Sequence, residues 1–416
     1  MDLSRAAAAA LDDADPLAAF RARFTGVDDG LYLDGNSLGR LPVETPAAVA
    51  RVVEQEWGRG LVGSWSSWVE QSRRIGDVLA EGVLGARPGE VLVSDTTSVD
   101  LYKLLVAGAD ARPGRDVLVC CADDFPTDRY VVAGVAAARG LTVREVDAHI
   151  DTGLDLDVLA AALDDRVAVL VLSQVAYRSG ALVDIAEVTR LARDAGALVL
   201  WDLSHGAGAV PAELTAAGAD LAVGCTYKYL NGGPGAPAFL YVRRELQEQL
   251  RQPIWGWFGA RDQFAMGPAY DPADGVDRFG VGTPPVLAMA AVEVGARISA
   301  EAGIERLAAK GGALTELVIA LADEWLTGHG VTVASPREAA RRGSHVSLAH
   351  PQAWQLTQAL VDRGVVPDFR TPRRLRLGPA PLYTRFVDVW DAMDRLRGVL
   401  TAGAHESYPE ERTRVT

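Results

Sequence analysis

Residues 224–235 read Gly224-Cys225-Thr226-Tyr227-Lys228-Tyr229-Leu230-Asn231-Gly232-Gly233-Pro234-Gly235. A short apolar run, 220–223, leads into this stretch, and a second run, 239–242, follows it. The pattern predicts a buried strand, a glycine-rich turn and another strand, with Lys228 just after the first strand. A lysine in a buried setting is unfavourable unless it has a chemical role. One role that fits is an amine that holds an aldehyde cofactor as a Schiff base, and the alternative is a solvated turn lysine.

A second motif upstream favours the cofactor hypothesis. It reads Ala197-Leu198-Val199-Leu200-Trp201-Asp202-Leu203-Ser204-His205. Five consecutive apolar residues are typical of a strand buried on both faces in a parallel sheet. Asp202 follows at the carboxyl end, where open α/β sheets bind ligands, and its carboxylate can pair with the protonated ring nitrogen of pyridoxal 5'-phosphate. A helix cap for Asp202 and a satisfied core histidine for His205 are the alternatives, but the ordered pair of motifs favours the cofactor.

The segment between about residues 90 and 245 alternates short apolar strands with helical patterns, which predicts an α/β fold with a mainly parallel central sheet and helices on both faces. Predicted strands are 91–94, 117–121, 167–173, 197–201, 220–224 and 239–242, and predicted helices are 99–109, 130–139, 158–163 and 185–195. Helical patterns at 286–302 and 304–327, with strands at 345–348 and 375–377, predict a smaller α+β unit. We therefore expect an N-terminal segment (1–60) that contributes to the small domain, a large cofactor-binding domain (61–290) and a small C-terminal domain (291–416).

The composition is that of a soluble enzyme. The chain has 416 residues and a net charge of −14, which argues against a nucleic-acid partner. Its sequence contains no apolar segment long enough to span a membrane and no secretory signal at its start, so no membrane partner is expected. The three cysteines show neither metal-ligand spacing nor a disulfide set, so we expect a reducing compartment, the cytoplasm, and no metal.

Polar or aromatic residues follow several other predicted strands. Asp95-Thr96-Thr97-Ser98 ends one strand and opens a helix, where free backbone N–H groups and hydroxyls form an anion site. Phe125 follows the next strand and could stack on a flat cofactor ring, and Ser173 ends the strand after that. Plain helix capping and a surface turn are the alternatives. One pocket at the carboxyl edge of the sheet would collect all these residues.

Seven short motifs then follow one another in a recognisable order: Tyr32-Leu33-Asp34-Gly35-Asn36-Ser37-Leu38-Gly39, Phe125-Pro126-Thr127-Asp128, Asp202-Leu203-Ser204-His205, Tyr227-Lys228-Tyr229-Leu230-Asn231-Gly232-Gly233-Pro234-Gly235, Gly256-Trp257-Phe258-Gly259, Gly282-Thr283-Pro284-Pro285 and Leu375-Arg376-Leu377-Gly378-Pro379-Ala380-Pro381-Leu382-Tyr383. In this order, over nearly the whole chain, they resemble the kynureninases, which are fold-type-I pyridoxal-phosphate hydrolases. The strand aspartate and strand lysine are shared by many relatives. The stretches 35–39, 227–235 and 381–383 are more selective.

The resemblance implies a role for each matching residue. Lys228 would hold the cofactor aldehyde and act as the base, Asp202 would bind the ring nitrogen, and Tyr227 would donate a proton. Arg376 would bind the substrate α-carboxylate, and alternation with Leu375 and Leu377 predicts that it points away from Arg370, Arg373 and Arg374. The remaining implied positions are Thr96, Thr97, Tyr227 and the partner subunit's Trp257 at the phosphate, Phe125 on the ring, Pro126, Thr127, Asp128, Ser173 and His205 around the cofactor, and Ser37 and Thr283 at the substrate's aromatic end.

The implied activity is hydrolysis of L-kynurenine to anthranilate and L-alanine by a homodimer with shared active sites. Whether 3-hydroxykynurenine is also a substrate stays open, although Thr283, where relatives that prefer it tend to have asparagine, favours plain kynurenine. Ala260 stands where histidine is usual. The rival interpretations are another fold-type-I enzyme, such as a cysteine desulfurase or an aminotransferase, and a non-catalytic binding protein on the same fold.

Overall fold

The computed structural model describes residues 2–412. The α-helices are α1 Arg5–Asp13, α2 Thr45–Arg51, α3 Trp65–Trp68, α4 Gln71–Leu79, α5 Thr97–Asp110, α6 Pro126–Arg139, α7 Leu156–Ala161, α8 Ile185–Asp194, α9 Arg244–Gln247, α10 Val286–Ala302, α11 Ile304–Trp325, α12 Ala353–Val361 and α13 Phe386–Thr401. The strands are β1 Leu31–Tyr32, β2 Val91–Ser94, β3 Val117–Cys121, β4 Thr142–Val146, β5 Ala148–His149, β6 Gly153–Leu154, β7 Val167–Ser173, β8 Leu198–Asp202, β9 Leu221–Gly224, β10 Ala238–Val242, β11 Thr332–Val333, β12 Val346–Ala349, β13 Val365–Val366, β14 Asp368–Arg370 and β15 Arg374–Leu377.

The central sheet has seven strands in the order β2-β10-β9-β8-β7-β3-β4. The pairs from β9 to β4 are parallel, and β10 is antiparallel to both of its neighbours, so it is the one strand of this sheet that runs against the others. The predicted α/β fold is therefore confirmed. Because β2, β3, β7, β8 and β9 run the same way, their carboxyl ends meet at one edge, as a ligand site in an open sheet requires.

Strand β8 shows why its apolar run is continuous. Val199 and Trp201 pack into the core on one face of the sheet, with helices α4, α8 and α10. Leu198 and Leu200 pack into the core on the other face, with α5 and α6. Both faces of the strand are therefore shielded from water, which is the reason that parallel strands lack polar alternation.

A second sheet, β11-β12-β15-β14, is antiparallel throughout and packs with α11, α12 and α13. The first elements of the chain pack with this unit: β1 pairs with β13 in a separate two-stranded sheet, and α1 packs against α13. These contacts agree with an N-terminal segment that contributes to the smaller unit. The proposed divisions near residues 60 and 290 stay predictions.

Strand β4 and the start of helix α6 differ from the sequence-based expectation. Strand β4 was not predicted, because it is an edge strand with one buried side chain, that of Val146, and it lacks an apolar run. Helix α6 begins at Pro126 rather than at residue 130, with proline in the first turn, where its missing N–H has no helical acceptor to lose. Thr127 and Asp128 therefore lie on the first turn of a helix, which fixes their orientation.

The packing of α10 against the Lys228 turn yields a stability prediction. A β-carbon on Gly295 would lie 2.0 Å from the carbonyl oxygen of Leu230, so Gly295→Ala must shift the turn or the helix. We expect a loss of about 1–3 kcal/mol in the free energy of unfolding, measured by urea denaturation. Gly312→Ala, inside α11 with nothing within 4 Å of the added carbon, is the matched control and should gain up to about 1 kcal/mol. Equal effects of the two substitutions would contradict this packing.

Candidate active site

A cavity of about 350 Å³ lies at the carboxyl edge of the central sheet. Eleven of the residues predicted from the sequence line it: Ser37, Thr96, Thr97, Phe125, Thr127, Asp128, Asp202, His205, Tyr227, Lys228 and Arg376. Seven more were not assigned a role: Asn36, Ser98, Tyr177, Ser204, Gly235, Ala236 and Arg370. The single cavity therefore collects residues from four strand ends and from both ends of the chain.

The turn that carries Lys228 is fixed by backbone contacts. The carbonyl of Lys228 accepts the N–H of Asn231 at 3.0 Å, and Asn231 adopts a left-handed φ of 54°. The N–H of Gly39 donates to the carbonyl of Tyr227 at 2.8 Å, and a β-carbon on Gly39 would lie 2.3 Å from the carbonyl oxygen of Lys228. The segment 35–39 therefore closes directly over the lysine, which explains why glycine stands at residue 39.

The Lys228 amine has no carboxylate partner among the described residues. Its Nζ lies 3.4 Å from both Nδ1 and Nε2 of His205, over the imidazole. Burial, together with the charge of Lys228, holds the pKa of His205 well below its usual value, so this ring stays neutral. The amine is therefore available for reaction rather than committed to an ion pair.

Two carboxylates form the floor of the cavity. Asp202 is buried at the end of β8, and one of its oxygens accepts the N–H of Ser204 at 2.8 Å. Asp128, on the first turn of α6, is also buried, and within residues 2–412 no group donates a hydrogen bond to its Oδ2. Burial and then the neighbouring charge of Asp202 raise the pKa of Asp128 well above its usual value. Two facing acids that form no salt bridge with any described residue are suited to a ligand that brings a protonated nitrogen.

The opposite end of the cavity is suited to an anion. Thr96 is the N-cap of α5, and its hydroxyl accepts the N–H of Val99 at 3.4 Å. Thr97 and Ser98 open the helix, and both line the cavity. Their hydroxyls and the free N–H groups at the positive end of the helix dipole form the cradle that phosphate groups occupy. Thr96 therefore caps the helix, as one of the two alternatives expected, and its contact with an anion stays a prediction.

An aromatic pair borders the cavity between these ends. Phe125 is 41% exposed even though it lies next to the buried end of β3, and its ring meets that of Tyr177 edge-on at a centroid distance of 5.4 Å. An exposed ring beside a cavity can stack on a flat ligand. Tyr177 lies four residues after Ser173, so the rule that ligands bind at strand ends could have found it.

Two guanidinium groups line the cavity on the side of the second sheet. Arg376 is 1% exposed, and its Nη2 donates to Ser37 Oγ at 2.9 Å and to Asp368. Arg370 Nη1 donates to the other oxygen of Asp368 at 2.8 Å. The prediction that Arg376 points away from Arg370 is therefore wrong. Alternation along one strand did not reveal that β14 pairs with β15, which brings both arginines to one carboxylate.

Asn36 completes the surroundings of Arg376. With its amide oxygen turned to the guanidinium, it accepts from Nε at 2.8 Å and from Nη2 at 2.9 Å. Arg376 and Arg370 both line the cavity, and the planar guanidinium group is well suited to bind a carboxylate ligand. Ser37 lies at this end of the cavity, and which part of a ligand it meets stays a prediction.

Four predicted residues lie outside the lining of the cavity. Pro126 begins α6, and Ser173 donates its backbone N–H to Asp124 at 3.2 Å beneath the cavity. Trp257 packs edge-on against Trp65, and Thr283 lies beside a separate small cavity near Ser94 and Asp95. The sequence analysis assigned Trp257 to the partner's site, and a single chain leaves the roles of Trp257 and Thr283 as predictions.

Comparison with known proteins identifies the family. Residues 307–396 match the kynureninase C-terminal domain. The kynureninase of Pseudomonas fluorescens is 45% identical over 399 residues, which covers 94% of this chain and 94% of that protein. The kynureninase of Burkholderia pseudomallei strain 1106a is 45% identical over 419 residues and covers 99% of both chains. The chain belongs to the kynureninase family.

Solved structures support the fold that the family implies. The cysteine desulfurase of Thermococcus onnurineus NA1 superposes with a TM-score of 0.80 over 92% of this chain and 98% of that one. Its sequence identity of 18% makes this a likeness of fold alone. The kynureninase-family chain thus has the fold-type-I architecture expected from its motifs.

The facing acids yield a pH prediction. Because the pKa of Asp128 is raised in the folded state, folding favours its protonated form, and its contribution to stability is lost as pH rises above the unfolded value of about 4. The melting temperature of cofactor-free Asp128→Asn should therefore fall less between about pH 5 and about pH 8 than that of the unmodified protein. The exposed Asp13→Asn is the control and should leave the pH dependence unchanged. A pH dependence that Asp128→Asn does not alter would contradict the assignment.

Proposed function

We propose that this protein is a pyridoxal-phosphate-dependent kynureninase that hydrolyses L-kynurenine to anthranilate and L-alanine. The chain belongs to a family in which curated kynureninases are 45% identical to it over nearly its full length. One observation then carries the proposal: a single cavity brings together a lysine with no carboxylate partner among the described residues, two buried acids and an anion cradle. Each of these three features matches one part of the cofactor: the aldehyde, the ring nitrogen and the phosphate.

The chemistry of the donor set fits the cofactor. Thr96, Thr97 and Ser98 would hold the phosphate, Phe125 would stack on the ring, and Asp202 would receive the ring N–H. The orphaned oxygen of Asp128 supports this assignment, because a cation at Asp202 relieves the repulsion between the two acids. Lys228 would hold the aldehyde carbon.

The residues of this chain would then move protons at defined atoms of the substrate. Pyridoxal phosphate supplies an electron sink for the α-carbon when it is bound. Lys228 would take the proton from that α-carbon. Water adds to the γ-carbonyl, the bond between the β- and γ-carbons breaks, and the γ-carbon becomes the carboxyl carbon of anthranilate. Tyr227 would give a proton to the β-carbon, and burial raises its pKa, which keeps the phenol protonated.

The guanidinium side would orient the substrate. The buried guanidinium of Arg376 is held by Ser37, Asp368 and the carbonyl of Tyr177, so its position is fixed before the substrate arrives and an N–H of Nη1 remains for a carboxylate. We assign it to the α-carboxylate. Thr283 would contact the aromatic end from the partner subunit, and its small side chain supports a preference for plain kynurenine.

The rival activities find less support. A cysteine desulfurase needs a mobile, reactive cysteine, whereas Cys120, Cys121 and Cys225 are all buried, and burial raises the pKa of each thiol. A non-catalytic binding protein would not need a free lysine and an aspartate in one cavity. The aminotransferase alternative has no observation of its own in favour.

We further propose a cytoplasmic homodimer with shared sites. Two segments that pack together through Trp65 and Trp257 carry large exposed apolar side chains, namely Trp57, Leu61, Val62, Trp255, Phe264 and Met266. Exposed apolar surface of this kind marks an interface, and a dimer would bury it next to the predicted partner-site residues. None of the described helices has the length and apolar composition needed to cross a bilayer. Three buried, unpaired cysteines agree with a reducing compartment.

The first test removes the amine. Lys228→Ala should abolish turnover while folding and cofactor binding persist, because the phosphate and ring contacts remain. Borohydride treatment should fix the cofactor to a peptide that contains Lys228 in the unmodified protein and should fix none in the variant, as measured by peptide mass spectrometry. Near-normal turnover of the variant would remove Lys228 from the mechanism.

The second test separates binding from chemistry. Asp202→Asn should lose far more in kcat than in cofactor affinity, because a neutral amide does not keep the ring nitrogen protonated. We expect a loss of at least about 100-fold in kcat, with the cofactor Kd measured in parallel. A loss of only a fewfold would show that another group protonates the ring.

The third test mixes two inactive proteins. Lys228→Ala is combined with a Trp257→Ala, Thr283→Ala double variant under conditions of proven subunit exchange. In a heterodimer, one site collects all three lesions and the other is intact, so equal mixing should restore about a quarter of the normal activity. Each protein exchanged with itself is the control. No recovery, or an active monomer in sedimentation, would contradict shared sites.

A further inference from the structure

A second lysine, Lys103, is completely buried beneath the anion cradle. It lies on α5, two turns below Thr96, and its side chain is 0% exposed. Its Nζ contacts Asp95 Oδ2 at 2.6 Å, Asp100 Oδ1 at 2.8 Å and the carbonyl oxygen of Phe279 at 3.0 Å. Ser94 Oγ lies 3.3 Å from the same nitrogen, so four acceptors surround the three N–H groups of the ammonium and the charge is fully satisfied inside the protein.

The contact with Asp95 bears on the cradle directly. Asp95 is the residue before Thr96, and its φ is 46°, in the left-handed region that a side chain rarely adopts. Its carbonyl also accepts the N–H of Ala238 at 3.1 Å, so both ends of the residue are held. This conformation sets the direction in which the chain enters α5, and so it sets where the hydroxyls of Thr96 and Thr97 point.

Electrostatics gives Lys103 a second effect. The Asp95 side chain is about a quarter exposed; it faces the separate small cavity near Thr283, but the residue directly precedes Thr96 of the anion cradle. An unpaired carboxylate there would repel a phosphate. Burial opposes the charge of Lys103, but Asp100 and Asp95 outweigh it and raise its pKa, so the lysine stays charged. Burial raises the pKa of Asp100 to about 7, and a protonated Asp100 leaves the ammonium to balance the carboxylate of Asp95.

We propose that Lys103 is a positioning residue for cofactor phosphate: it holds Asp95 in its left-handed conformation and cancels its charge, so that the cradle accepts a dianion. Phe279 lies outside the cradle, and its carbonyl oxygen accepts a hydrogen bond from the Lys103 ammonium. This contact fixes the position of the ammonium, which in turn holds Asp95. The inference rests on the proposed function only for the identity of the cofactor.

The test compares two ligands that differ by the phosphate alone. Cofactor-free Lys103→Met should bind pyridoxal 5'-phosphate at least about tenfold more weakly, while its affinity for unphosphorylated pyridoxal stays within about twofold of normal. Inorganic phosphate should raise the melting temperature of the unmodified cofactor-free protein and not that of the variant. Equal weakening for both ligands would show a merely structural role and overturn the proposal, as would unchanged affinities.

If Lys103→Met does not fold, variants at Asp95 provide a second test. They are expected to fold, because the buried Lys103 still pairs with Asp100 in them. Asp95→Asn tolerates a left-handed φ and still accepts from Lys103, so phosphate selectivity should persist. Asp95→Ala loses both properties, and its affinity for pyridoxal 5'-phosphate should fall while that for pyridoxal holds. Equal behaviour of the two variants would overturn the proposal. A protein that passes this test but does not hydrolyse kynurenine would fail the proposed function alone.

Discussion

The site depends on one close approach of backbone to backbone. The Lys228 turn is confined between the 35–39 segment on one side and helix α10 on the other, and a β-carbon at Gly39 or Gly295 would collide with carbonyl oxygens of the turn. Tyr229 adds a third attachment, since its hydroxyl donates to the carbonyl of Ser344 at 3.0 Å. Three distant parts of the chain therefore fix the lysine, which keeps its amine directed into the cavity without an ion pair.

Acidic, anion-binding and basic groups occupy different parts of the cavity. Acids form the floor at Asp128 and Asp202, a helix N-terminus with hydroxyls lies at one end, and the guanidiniums of Arg370 and Arg376 lie at another. Such an arrangement is complementary to a ligand set with a cationic ring nitrogen, a phosphate and a carboxylate. The cluster of Asp95, Lys103 and Asp100 lies beneath the anion cradle. There the charge of Lys103 offsets that of Asp95, a carboxylate that would otherwise repel the phosphate.

The sequence predicted the parts of the fold that rest on continuous apolar runs. Strands β2, β3 and β7 were predicted with the bounds they have, and Asp202 and Lys228 were placed in one cavity, because buried parallel strands and strand-end residues leave local patterns. The edge strand β4 leaves no such pattern. Arg370 and Lys103 were missed because their roles arise from partners on other elements, Asp368 across a strand pair and Phe279 some 176 positions along the chain. Pairing of this kind is a tertiary property.

The central claim is that this cavity hydrolyses the side chain of kynurenine. The direct measurement incubates the purified protein with L-kynurenine and follows anthranilate and L-alanine together, before and after the cofactor is removed and restored. The account predicts both products in equal amounts, loss of both without pyridoxal 5'-phosphate, and recovery of both on its return. Alanine released from L-cysteine instead, with no anthranilate from L-kynurenine, would contradict it.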